Sequence, residues 1–164
     1  MIARPSSERG LTLTEVTIVA AIGLLVLLGL GGFYLNSQAT WLDASSKTIT
    51  QREATMVAEA IADSVRCAAS ATAIPIPDVE HGQVALFRRG DVTPYWYYWW
   101  DGADSLIHQG TNPATGDLGA MHASKAERFR VVLNDSALVE VALRLRSATG
   151  QPVEQITSSM LRNH

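Results

Sequence analysis

One carboxylate sits at the edge of a long uncharged stretch. Glu15 follows Gly10-Leu11-Thr12-Leu13-Thr14, and Val16 to Leu35 then carry no charge and only one clearly polar side chain, Thr17. A charge beside a segment of this kind is costly to hold, so it needs a partner or a task. No basic residue lies between Glu15 and Lys47. One task is local. Thr12-x-x-Glu15 has the spacing of a capping box, in which hydroxyl and carboxylate satisfy amides at a helix start. The alternative is a cationic partner from outside this stretch.

The remaining reactive side chains form no recognised constellation. Asp101 and Asp104, with Asp91 and Asp117 nearby, offer oxygens of the kind calcium takes, but their spacing is not that of an EF-hand loop, and solvated turn carboxylates are expected. His81, His108, His122 and His164 are scattered, without an HExxH pair, so no zinc site is expected. No serine sits in GxSxG and no glycine loop is built for phosphate. The expectation is therefore a protein without catalytic residues, metal or cofactor, not an enzyme. Cys67 is the only cysteine, so no intramolecular disulfide forms. It is expected to be a small buried apolar residue on a helix. Tyr95 to Trp100 is an unbroken aromatic run. As a strand it puts aromatics on both faces, one for a helix, the other for the 110–126 loop or a partner subunit.

The elements that must position these residues follow from hydropathy and periodicity. Val16 to Leu35 is apolar all round and long enough, at about 1.5 Å per residue, to cross a bilayer core of roughly 30 Å. Gly29, Gly31 and Gly32 mark its outer end as the place for a bend or local unwinding. From Asn36 to about Ala71 the helix is expected to continue as an amphipathic one. Val57, Ile61 and Val65 recur at four-residue steps, with Met56, Ala60 and Ser64 beside them and Glu53, Glu59, Asp63 and Arg66 outward. Ile74-Pro75-Ile76-Pro77 ends it in an extended linker. Strands are expected at Gln83–Arg89, Tyr95–Trp100, Ser105–Gln109, Arg128–Leu133, Leu138–Arg146 and Ile156–Leu161. Asp101-Gly102 joins the second and third of these as a hairpin, and residues 110–126 read as a surface loop. The predicted class is α+β: a long N-terminal helix, transmembrane in its first half and amphipathic in its second, packed on a small antiparallel sheet. Its domains are a leader at 1–10, a membrane helix at 11–35 and a globular part at 36–164.

Net charge is mild, at -3. Arg88, Arg89, Arg128, Arg130, Arg144 and Arg146 are expected on separate strand faces, so no basic surface for nucleic acid is expected. Arg4 and Arg9 precede the apolar run, and the positive-inside rule puts residues 1–10 in the cytoplasm and the rest across the membrane. Ser37-Gln38-Ala39 leaves open a second reading, a signal-anchored or secreted binding module or enzyme of unknown substrate.

Gly10, then Leu11-Thr12-Leu13-Thr14-Glu15-Val16 and an apolar helix, behind a short basic leader, resembles the prepilin-type motif of type IV pilins and type II secretion pseudopilins. Leu11 stands where that family more often has phenylalanine or methionine, and Thr14 where it has an aliphatic residue. Both departures suit a minor subunit. The tail, Leu161-Arg162-Asn163, is similar to the ending of minor pilins and J-type pseudopilins. The resemblance implies cleavage after Gly10 by a prepilin peptidase and N-methylation of Leu11. It also implies that Glu15 pairs with the Leu11 amine of a neighbouring subunit. The implied fold is pilin-like. The implied partners are other pilins or pseudopilins, the peptidase, the inner membrane and its assembly platform, with the globular part in the periplasm.

Overall fold

A computed structural model describes residues 12–75, 82–114, 116–134 and 137–161. Among them are one helix, α1 (Leu13–Cys67), and the strands β1 (Ser70–Pro75), β2 (Gly82–Phe87), β3 (Trp96–Asp101), β4 (Leu106–Asn112), β5 (Gly116–Ala120), β6 (Lys125–Asn134), β7 (Leu138–Arg146) and β8 (Pro152–Met160). The chain divides into two units, up to Leu42 and from Asp43 onward.

In the first unit every described residue of α1 is exposed, Leu25, Leu28 and Leu35 by two thirds or so of their surface. The segment is long and apolar enough to cross a membrane. No bend or unwinding needs to be invoked at its glycines, because α1 is assigned helical without a break through Gly29, Gly31 and Gly32. Each glycine weakens a helix by about 1 kcal/mol, but propagation in so long a helix is cooperative and absorbs it.

The second unit is the packed one. Its strands are all antiparallel and form two sheets, β1-β2-β3-β4-β5 and β6-β7-β8, where a single small sheet was expected. The second half of α1 buries Ala54, Val57, Ala58, Ile61, Ala62 and Val65, a stripe at three- and four-residue steps. That stripe shares one core with Phe129, Leu143 and Leu145 of the three-stranded sheet and with Leu86, Tyr98 and Ile107 of the five-stranded one. Polar contacts to strands also hold the helix in place. Ser159 Oγ donates to the Ala62 carbonyl at 3.0 Å, and Tyr98 Oη shares a 2.6 Å hydrogen bond with Ser64 Oγ. The fold is α+β, a long N-terminal helix packed on antiparallel sheets, as expected of a pilin-like chain. At Gly82 a Cβ would come within 3.2 Å of the Phe129 carbonyl, a tight contact, so a side chain there would have to push β2 and β6 apart by a few tenths of an ångström.

Several local expectations are corrected. Met56 and Ala60 are exposed, because the buried stripe runs through the other flank of Val57. Cys67 ends α1 and is exposed rather than buried. The helix stops short of Ala71. Ser70 to Pro75 is an edge strand paired with β2, its proline at the end of the ladder where a missing amide matters least. Residues 110–126 are not one loop: they hold the end of β4, all of β5 and the start of β6. The arginine faces also differ. Arg128 lies directly across from Arg144, and Arg130 and Arg146 share their side of the sheet. Glu154 lies beside both Arg128 and Arg144, and Glu127 beside Arg146, so the charges are interleaved.

Candidate functional site

Two predicted site residues, Gly10 and Leu11, lie outside the described residues. Glu15 is described, and its immediate geometry is a capping box. The Thr12 amide and hydroxyl both donate to Glu15 Oε2 at 2.9 Å, and the Glu15 amide donates to Thr12 Oγ1 at 3.3 Å. The first helical bond, from the Val16 amide to the Thr12 carbonyl at 3.2 Å, follows directly. The sequence folds this way because Thr12 and Glu15 are three residues apart and each satisfies an amide the helix start would otherwise leave open. Both donors reach the same carboxylate oxygen. Among the described residues no donor reaches Oε1, and no cation pairs with this exposed carboxylate. The local role and a second, intermolecular one are therefore compatible: the cap engages one oxygen and, among the described residues, leaves the other without a donor.

Among the described residues, Asp101 and Asp104 come together, and they do so beside His108. Ligand-type atoms of the three lie within 4.8 Å of one another. Each carboxylate already has work inside the β3–β4 turn. Asp101 Oδ1 accepts the Ala103 amide at 2.8 Å, Asp104 Oδ1 the Leu106 amide at 2.9 Å, and Asp104 Oδ2 lies 2.8 Å from His108 Nε2. Burial pushes the Asp104 carboxyl up, but the Leu106 amide and the His108 ring together outweigh it and hold it below its ordinary range. The turn also puts Ser105 at a φ of 61°, in the left-handed region. The group shapes a hairpin, in keeping with turn carboxylates. Asp91 belongs to a separate turn, its amide bonded to the Arg88 carbonyl.

The aromatic run does core work. Tyr98 is buried against α1, and Trp96 and Trp100 pack on the same core. Trp100 Nε1 donates to the Ala126 carbonyl at 3.3 Å. On the other face Trp99 stacks on its cross-strand partner His108, with ring centroids 5.8 Å apart. The Arg88 guanidinium lies over the Tyr95 ring, 5.1 Å from its centroid.

Sequence reasoning missed one polar chain. His122, Ser124, Thr50 and Glu53 tie the helix to the segment before β6. Ser124 donates its amide to Glu53 Oε2 at 3.0 Å and shares a 3.1 Å hydrogen bond with Thr50 Oγ1. The Ile107 amide donates to His122 Nε2 at 3.1 Å, so the ring proton is on Nδ1, which donates to the Ser124 carbonyl at 2.6 Å. Burial lowers the His122 pKa, and its partners need the neutral ring. Only Thr50 and Glu53, three apart on a helix, hinted at this chain; the rest of it depends on tertiary packing.

Comparison with protein-family models, with curated proteins and with solved structures finds no match to this chain.

Proposed function

We propose that this protein is a minor pilin or pseudopilin subunit. In this reading a prepilin peptidase cuts between Gly10 and Leu11 and the new terminus is N-methylated. Residues 11–35 hold the subunit in the bacterial inner membrane, with the N-terminus cytoplasmic and residues 36–164 periplasmic. The subunit then joins the tip or initiating complex of a type II secretion pseudopilus or a type IV pilus. The observation that supports it best is Glu15. It is an exposed carboxylate at the head of an apolar, unpacked helix, with one oxygen in a cap and no cation among its described neighbours. A charge so placed calls for a cation from another molecule, and the Leu11 amine made by cleavage in a neighbouring subunit supplies one.

Two substitutions separate the cap from the pairing. Glu15→Gln keeps a side-chain oxygen for the Thr12 donors but removes the charge, whereas Glu15→Ala removes both. Both variants are expected to be cleaved normally, as read from the mass of the mature chain. Both should then be depleted tenfold or more from sheared filaments or from the purified tip complex, each factor of ten standing for about 1.4 kcal/mol. Normal incorporation of the Gln variant would confine Glu15 to capping.

A further inference from the structure

The edges of the two sheets differ in how they are protected. β1 is short and ends in Pro75, and β5 is shorter still, with register irregularities where it pairs β4. Both are ordinary ways of blunting an edge. β8 has none of them beyond its first residue, Pro152. It is nine residues long, its ladder with β7 runs from Pro152 to Met160 without a bulge, and among the described residues it pairs with no other strand. It carries no lysine or arginine, and Ile156 and Met160 are 60% and 65% exposed. Its one charge, Glu154, lies on the sheet face beside Arg128 and Arg144, at 3.4 and 3.7 Å, so it repels an incoming strand less than a bare carboxylate would.

The direction of the free backbone groups follows from the two ends of the hairpin. The Leu161 amide bonds to the Ala137 carbonyl, and the Ser147 amide to the Gln151 carbonyl. Odd-numbered residues of this strand therefore turn their amides and carbonyls toward β7. The even-numbered ones, Glu154, Ile156, Ser158 and Met160, turn theirs to the open edge, because the direction alternates along a strand. The same even-numbered side chains share the outer face.

We propose that β8 is a self-pairing edge, joined in antiparallel register to β8 of a second copy of this chain and centred on Ile156. The pattern of the strand argues for this partner. On that centre Ile156 faces Ile156, Glu154 faces Ser158, and Met160 faces Pro152. Apolar thus meets apolar, polar meets polar, and no carboxylate opposes another. Centring on Glu154 would set the two charges together. Pro152 faces the edge with a carbonyl only, and the Met160 amide opposite is a donor for it. The two three-stranded sheets become one continuous sheet. This goes beyond the filament reading and does not rest on it, since neither Glu15 nor the leader takes part.

Disulfide trapping in the full chain, purified in detergent, tests the register. In a Cys67→Ser background, Ile156→Cys is expected to run as a covalent dimer after mild oxidation, since paired residues of this type have Cα atoms about 5.5 Å apart, within disulfide reach. Glu154→Cys and Ser158→Cys are each expected to stay monomeric alone and to cross-link when mixed. Arg130→Cys, on the same face but two strands in, is expected to stay monomeric. Ile156→Pro deletes an amide that only the second copy uses, so it should shift the chain from dimer to monomer mass by light scattering while keeping its unfolding temperature. Ile156→Lys does the same should proline disturb folding. A monomeric, folded Ile156→Cys chain would overturn the proposal. So would cross-linking of Glu154→Cys alone as efficiently as the mixture, or a dimer that survives both Ile156→Pro and Ile156→Lys.

Discussion

His122 works as a neutral ring: one nitrogen accepts the Ile107 amide while the other donates to the Ser124 carbonyl. Burial is the main reason its pKa lies below the ordinary value of about 6.5. The His108 ring adds to the depression, while the Ser124 carbonyl, Glu53 and Asp104 oppose it. The unfolded chain therefore binds this proton at higher pH than the folded one. The ring's contribution to stability is complete above about pH 6.5 and is lost as pH falls through the lower folded value. Melting temperature is expected to fall by a few degrees between pH 7 and pH 5, and His122→Gln, which keeps an acceptor and a donor, should flatten that part of the curve. An unchanged slope in the variant would assign it to another group. Asp104 acts in a lower window. Its depressed pKa contributes stability that is present above about pH 4 and lost below it. At this scale Glu15 was legible because a charge beside an uncharged run stands out in any reading. His122 was not, because its chain of partners extends to Glu53, whose bond to Ser124 spans 71 residues of sequence.

Among elements, α1 is held by one flank of its second half. Ile61 is fully buried there, while Met56, little more than one turn away, is 59% exposed. Ile61→Ala is expected to cost about 2–5 kcal/mol in denaturant unfolding, and Met56→Ala within about 0.5 kcal/mol. Equal losses at both positions would contradict the packing described. The sheet was legible where one face is wet. β7 alternates buried Val139, Val141, Leu143 and Leu145 with less buried neighbours, and its predicted limits coincide with the observed Leu138–Arg146. It was illegible where side chains are small or the ladder irregular. β1 is built from Ser70, Ala71, Thr72 and Ala73, which give no alternation, and β5 is broken by shifts in register. The paired strands also decide what periodicity alone did not. The register of β6 against β7 sets Arg128 beside Arg144 on one face, next to Glu154.

For the whole molecule, an exposed apolar helix followed by a packed α+β unit describes a chain whose first part needs surroundings other than water. In the proposed function a bilayer supplies them before assembly, and a bundle of like helices afterwards. The proposed route between the two turns on the bond between Gly10 and Leu11, since only its cleavage creates the amine that Glu15 is to meet. Intact-mass and N-terminal peptide analysis of the protein extracted from its native membrane tests this most directly. The account predicts a chain that begins at Leu11 and carries one methyl group on its amine. A functional protein that still begins at Met1, or one that begins at Thr40, would contradict it.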